Sequence, residues 1–327
     1  MATLFPLRRL GASDLMVTPL GLGCWQFSKG RGLAGRYWKV LDDAEIQRIL
    51  AAALDAGVNW FDTAEGYGAG ESEKALAKGL QSLGKSPGQI VIATKWSPVL
   101  RRASSIAGTI EVRLQNLAPF PVDLHQIHNP YSVSSIDSQI QAMAGLVAEK
   151  KIRFVGVSNF NRKQMERAHA GLRKAGLPLV SNQVRYSLLD RRVETNGVLE
   201  AARELGVSII AYSPLAQGLV TGLFHDDPTL IKRRGGFRKY MAAFKHKGLE
   251  KSRPVIDTLR RIAPRYGATP SQAALNWLIT FGGETVVAIP GASEAAQVRD
   301  FGAALSFRLS EEDREELDDV SAPFKKP

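Results

Sequence analysis

The sequence predicts an α/β protein, a single (β/α)8 barrel of the TIM type over residues 1–327, with an N-terminal β-hairpin cap and extended C-terminal loops. Three observations carry this expectation. Short β-branched runs alternate with longer stretches of helical spacing, the pattern of repeated βα units around a parallel sheet. Eight such runs can be assigned, and nearly all of them end in a polar residue, where the loops of a barrel of this kind build their working face. The chain of 327 residues is long enough for one decorated barrel, and no segment has the composition of a linker between domains.

In chain order the expected barrel strands are 17–22, 58–62, 90–95, 122–128, 152–158, 179–183, 208–212 and 285–289. Between them lie amphipathic segments. Ile46, Ile49, Leu50 and Ala53 share one helix face, and Ile136, Ile140, Met143, Ala144 and Val147 share another. Residues 7–17, with Gly11-Ala12 at the middle, read as a hairpin closing the barrel floor. Residues 218–253 form a long Gly-rich and basic excursion after the seventh strand, and residues 309–320, opening Ser310-Glu311-Glu312-Asp313, read as a capped acidic helix lying over the outside or the mouth.

Composition narrows the function classes. With 44% hydrophobic and 23% charged residues the chain is that of an ordinary globular protein. No apolar run approaches a membrane span and the first residues lack a signal-peptide core, so the expected location is cytoplasmic. A single cysteine, Cys24, excludes an internal disulfide and a multi-cysteine metal site, and reads as a small apolar residue near a strand end. The net charge of +11 draws heavily on Lys232, Arg233, Arg234, Arg238, Lys239, Lys245, Lys247, Lys251 and Arg253. No nucleic-acid module surrounds them, so neither a nucleic-acid nor a membrane partner is expected. The sequence sets no oligomeric state.

The strand ends carry the chemistry. The second run ends in Asp62, the third in Lys95, the fourth in His128, the fifth in Ser158-Asn159, the sixth in Gln183 and the seventh in Tyr212. A lysine ending an apolar strand must find a carboxylate or lose its charge. Asp62 would hold Lys95 charged, and Tyr67 on the short loop Asp62 to Gly68 would place a phenol beside both. A free phenol has a pKa of roughly 10, and a neighbouring ammonium is expected to lower it. His128 would orient a substrate oxygen while Tyr67 delivers a proton, and no metal is needed. Each of these residues alone also has an ordinary packing or hydrogen-bonding role.

Gly21-Leu22-Gly23-Cys24-Trp25, Phe61-Asp62-Thr63-Ala64 through Tyr67-Gly68, Ala93-Thr94-Lys95, His125-Gln126-Ile127-His128, Val155 through Phe160, Asn182-Gln183-Val184, Ala211 through Leu215 and Ile289-Pro290-Gly291-Ala292 together resemble the aldo-keto reductases over nearly the whole chain. The resemblance implies an oxidoreductase that moves a hydride between a nicotinamide cofactor and a small carbonyl or alcohol. It places Asp62, Tyr67, Lys95 and His128 in the catalytic positions, with Tyr67 as the acid. It also puts Ser158, Asn159 and Gln183 on the nicotinamide carboxamide and Tyr212 against the ring. Ser213, Leu215, Gln217 and Gly218 would run along the pyrophosphate, and Gly291, Ser293 and Gln297 would lie on the cofactor beyond. Ser158-Asn159 has a second meaning as the N-cap of a helix from Arg162 to Lys174.

No Gly-x-Gly-x-x-Gly fingerprint is present, so a doubly wound dinucleotide fold is not expected. The resemblance favours NADP, with NAD open, because Asp300-Phe301 stands where relatives carry a Glu-Asn pair reading the adenine. Arg299 or the basic loop 232–238 would have to supply charge for a 2′-phosphate, against repulsion from Glu294. Trp25, Phe27, Trp96 and Tyr131 flank strand-end motifs and are the expected substrate contacts, with ordinary packing as their other reading. Two alternatives stay open: a cofactor-binding regulatory subunit resembling those of potassium channels, and an NAD-dependent alcohol or sugar dehydrogenase.

Overall fold

Eight parallel strands form the centre of the protein, each joined to the next by helical crossovers. The computed structural model describes residues 4–32, 37–233 and 237–326; Arg234, counted above with the basic excursion, lies outside them. An antiparallel hairpin, β1 (Arg8–Arg9) with β2 (Met16–Val17), comes first and pairs Arg8 with Val17. The barrel strands are β3 (Leu22–Gly23), β4 (Trp60–Asp62), β5 (Val91–Trp96), β6 (Leu124–Ile127), β7 (Phe154–Ser158), β8 (Leu179–Arg185), β9 (Ser208–Tyr212) and β10 (Val286–Ile289). They pair in sequence order from β3 to β10. The ring closes through Gly21 N–H on Ala288 O at 2.8 Å, Ala288 N–H on Pro19 O at 2.9 Å and Gly23 N–H on Pro290 O at 3.0 Å.

Val17, expected in the first barrel strand, belongs to the hairpin instead. Pro19 supplies the reason: it has no N–H to give a ladder, so the chain breaks there between hairpin and barrel. The hairpin does close the floor. Leu10, Leu15 and Val17 are buried against Trp60, Ala93, Leu124, Val180, Ile210 and Val287, the side chains that fill the barrel interior. Trp60 lies across this interior with its indole N–H on Thr18 O at 2.8 Å. It fits only because position 21 has no side chain, since a Cβ there would come within 2.3 Å of the indole.

The helices after the first six barrel strands are α1 (Asp43–Asp55), α2 (Glu71–Ser82), α3 (Ser104–Leu117), α4 (Ile136–Ala148), α5 (Arg162–Lys174) and α6 (Val198–Leu205). Two helices, α7 (His246–Ile262) and α8 (Pro270–Phe281), precede β10, and α9 (Ala295–Gly302) and α10 (Glu311–Ser321) follow it. Local signals set several starts. Asp42 with Glu45, Asn161 with Gln164 and Thr269 with Gln272 form reciprocal capping boxes, each satisfying N–H groups that would otherwise be orphaned at a helix start. Their apolar faces bury Ile46, Ile49, Leu50, Ile140 and Met143 against the outside of the sheet. The acidic α10 is capped by Ser310 and lies outside the barrel, where Asp313 receives Arg265 at 2.6 Å and Tyr266.

The excursion after β9 has its own small core of Leu219, Phe224, Ile231, Phe244 and Leu249. It reaches back across the barrel mouth. Tyr37 donates to Gln217, and Arg238 lies over the Trp38 ring, 5.1 Å from its centroid. Among the described residues no helix is long and apolar enough to cross a membrane.

Candidate active site

Toward the carboxyl ends of β4, β5, β6 and β8 the structure brings together Asp62, Lys95, Gln126 and Gln183, four residues that are far apart in sequence. Lys95 and Asp62 form a fully buried ion pair. The ammonium also donates to Thr63 O at 2.9 Å and reaches the Tyr67 hydroxyl at 3.4 Å. The other oxygen of Asp62 accepts from Gln126 Nε2 at 3.0 Å and Gln183 Nε2 at 2.9 Å. A carboxylate so enclosed is tolerable only because an ammonium and two amides replace water.

Protonation states follow from this enclosure. Burial alone would push the Lys95 ammonium down, but Asp62, with the phenol's contribution, carries it above its ordinary value. Lys95 therefore keeps its charge. For Tyr67 the outcome corrects the expectation from sequence: burial pushes the phenol up, and the downward pull of Lys95, itself opposed by Asp62, does not overcome it. The phenol keeps its proton at neutral pH. Burial first and Lys95 second hold His128 down at about 3, so its imidazole is neutral. The His128 ring stands edge-on to the Tyr67 ring at 5.7 Å between centroids.

A second network holds the Tyr67 loop from below. Glu65 accepts from Arg101, from Arg113 at 2.8 Å and from the Ser97 N–H at 2.6 Å. Arg113 spans to the fully buried Glu73 at 2.6 Å, which also takes Thr94 Oγ1 at 2.7 Å and Asn116 at 2.9 Å. Sequence reasoning passed over Gln126, Glu65, Glu73 and Arg113. Gln126 did carry a signal, since it is an amide beside His125 in a short strand that Leu124 and Ile127 bound.

Beyond this cluster the mouth continues over β7 and β9. Ser158 donates to Gln183 O at 2.8 Å; Asn159 donates to His128 O at 3.2 Å and accepts from the Tyr212 hydroxyl at 3.0 Å. Asn159 has a left-handed backbone, φ 60°, and the cap of α5 is Asn161, which leaves the Ser158-Asn159 pair to the mouth and corrects their reading as that helix's cap. Ser213, Ala216, Gln217 and Gly218 also have positive φ. Within this run Ala216 N–H donates to Ser213 O and Gly218 N–H to Leu215 O, both at 2.9 Å, which makes a tight turn at the rim of the mouth. Leu215 precedes that run and is partly buried against the core. Gly291 packs so closely on the Gln26 amide that a Cβ would stand 2.4 Å away, and Gln297 receives the Ser293 N–H at 2.8 Å.

The four aromatic candidates separate. Trp25 stacks over Tyr67 at 5.9 Å and over Tyr37 at 4.9 Å. Tyr131 is 72% exposed. Phe27 and Trp96 have no accessible surface: both are packed into the core, with the Trp96 indole N–H on Ser105 at 3.1 Å. As the chain is folded they present no face to a substrate, because the core between sheet and helices takes large apolar rings first. Cys24 is buried beside Asp62, and burial drives its thiol well above the ordinary range. Asp300 accepts from Thr269 and Gln272, both at 2.9 Å, and Phe301 is buried in the core, so this pair is turned to α8. Arg299 is exposed, while Arg48 of α1 shares a small cleft with Glu45, Ser293, Glu294 and Ala295.

Residues 19–322 match the model of a family described as the aldo/keto reductase family. The chain is 36% identical over 310 residues to an uncharacterized oxidoreductase of Mycobacterium bovis, covering 94% of this chain and 91% of that protein. It is 32% identical over 326 residues to a chloroplastic pyridoxal reductase of Arabidopsis thaliana, covering 96% and 86%. The solved structure of a glycerol dehydrogenase from Gluconobacter oxydans superposes with a TM-score of 0.84 at 28% identity, covering 98% of this chain and 97% of that one.

Proposed function

The chain belongs to the aldo/keto reductase family, an oxidoreductase family, and from that premise we propose that it reduces aldehydes or ketones to alcohols with NADPH, Tyr67 giving the proton. The observation that carries the proposal is the buried chain from Asp62 through Lys95 to the Tyr67 hydroxyl, with neutral His128 beside it.

The nicotinamide, when bound, supplies the hydride. Everything else falls to the residues described. Tyr67 retains its proton until negative charge develops on the substrate oxygen, and Lys95 then stabilises the phenolate left behind. Asp62, Gln126 and Gln183 keep Lys95 charged and in place. His128, being neutral, has a ring N–H to give the carbonyl oxygen, and Trp25 supplies an apolar wall. Tyr131 would contact a substrate from the outer rim.

The donor set suits a dinucleotide. Ser158 and Asn159 would hold the carboxamide. Gln183 spends its amide nitrogen on Asp62, so its oxygen would be the acceptor there. Tyr212 would stack on the ring, and the left-handed run of residues 216–218, with Ser213 and Leu215, would follow the pyrophosphate. Gly291, Ser293 and Gln297 would border the adenosine, and Arg48 would meet a 2′-phosphate.

The cleft at Arg48 also holds two carboxylates, Glu45 and Glu294, and this favours a second reading in which NAD binds and an alcohol or sugar is oxidised. Both readings meet one experiment: consumption of NADPH and, separately, NADH with an activated aromatic aldehyde, for the wild type and Tyr67→Phe. The proposal expects turnover that collapses in Tyr67→Phe while cofactor binding, followed by tryptophan fluorescence, is kept. Near wild-type turnover in the variant would remove Tyr67 as the acid. Binding without turnover by either cofactor would assign the chain to the regulatory reading.

A further inference from the structure

At the end of the barrel opposite the catalytic cluster there is a cavity of about 260 Å³ between the hairpin, the end of α8 and the start of α10. Its apolar walls are Phe5, Pro6, Ile279 and Leu309; its charged groups are Arg8, Arg308, Arg314 and one carboxylate, Glu284. Of these guanidiniums only Arg8 is buried, with Arg314 half-buried and Arg308 exposed, and three like charges lining one cavity favour an anion between them.

None of the three has a carboxylate partner among the described residues. Arg8 is 8% exposed and gives its hydrogen bonds to two neutral carbonyls, Val286 O and Ile279 O, the latter at 2.7 Å. Arg308 reaches Leu4 O at 3.2 Å and lies over the Phe5 ring, 4.4 Å from its centroid. The Nε of Arg314 is buried with no hydrogen-bond partner. Burial, with Arg308 adding like charge against the opposing influence of Glu284, lowers Arg8 to about 10.

We propose that this cavity binds a small organic carboxylate, its anionic head received by Arg8, Arg308 and Arg314 and its apolar body by Phe5, Ile279 and Leu309. The volume of about 260 Å³ lies below the roughly 300 Å³ at which pockets for drug-sized molecules begin, which suits a small ligand. Guanidinium forks match the two oxygens of a carboxylate. Glu284 on the rim disfavours a dianion, and the apolar walls ask for more than an inorganic ion. The inference does not depend on the proposed reductase chemistry.

Calorimetric titration of the full chain with benzoate tests it, with benzyl alcohol and inorganic phosphate as the apolar and anionic halves. One saturable site for benzoate is expected, with neither half matching it. Arg308→Gln and Arg314→Gln should each weaken binding about tenfold, the size of a lost charged hydrogen bond. Glu284→Gln should tighten it several-fold. Unchanged circular dichroism would show that these variants fold. Absence of saturable binding overturns the proposal. So does benzoate binding unaffected by both arginine variants but abolished in Tyr67→Phe, which would put the ligand at the mouth.

Discussion

A double-mutant cycle on Asp62 and Lys95 separates what their ion pair contributes to stability from what it contributes to chemistry. Unit charges roughly 4 Å apart attract by about 4 kcal/mol at an effective dielectric constant near 20. Both residues are essentially without solvent access, so neither charge can be rehydrated when its partner is removed. Lys95→Met leaves the carboxylate with the Gln126 and Gln183 amides only. Asp62→Asn leaves the ammonium with Thr63 O and the Tyr67 hydroxyl. Each single change should therefore cost about 3–5 kcal/mol of unfolding free energy, the range for breaking a buried pair. The double variant has no stranded charge and should cost less than the sum of the singles by about 2–3 kcal/mol. Urea unfolding followed by tryptophan fluorescence gives all three numbers, and aldehyde reduction should be lost in all three variants. Single costs below about 1 kcal/mol that simply add would refute the enclosure described here. Recovery of turnover in the double variant would refute the role of Lys95 beside the phenol.

Other expectations follow from the same geometry. With burial and Arg113 holding His125 at about 3, against roughly 6.5 unfolded, the unfolded chain takes up a proton first as pH falls. Its stabilising contribution is intact above that unfolded value and drains away toward pH 3 by about 1.4 kcal/mol per unit; in His125→Gln the slope of stability against pH should be shallower by that amount. For turnover, an upward-shifted Tyr67 and a neutral His128 predict a reduction rate with no limb near pH 6.5 and a fall only in the alkaline range; a limb near 6.5 that disappears in His128→Gln would contradict the neutral imidazole. Gly21→Ala should cost about 1–3 kcal/mol through its clash with Trp60, read as a lower urea midpoint, and an unchanged midpoint would mean that the interior is looser than described.

The division between sequence and tertiary structure follows the range of the forces involved. Period and composition already placed the strand ends, because alternation of β-branched and helical runs is local and the polar residue closing each run is visible without a fold. Asp62, Lys95 and His128 were legible for that reason, and Tyr67 through the short loop that follows Asp62. The resemblance added the roles of the mouth residues. Capping boxes such as Asn161 with Gln164 lie within four residues and were equally open to reading.

What only the assembled molecule decided depends on competition between distant groups. Whether Tyr67 moves up or down is a contest of burial against Lys95, and no spacing in the chain reports burial. Phe27 and Trp96 flank strand-end motifs as Trp25 does, yet packing turned them inward and left Trp25 over the phenol. The second amide on Asp62 comes from Gln126 on β6, two strands away from β4, and the cation in the Ser293 cleft comes from α1. The three arginines at the floor are drawn from β1, the segment after α9 and α10. Charge and size are carried by each residue type, but the environment that prices them exists only once strands and helices from opposite ends of the chain close on one another.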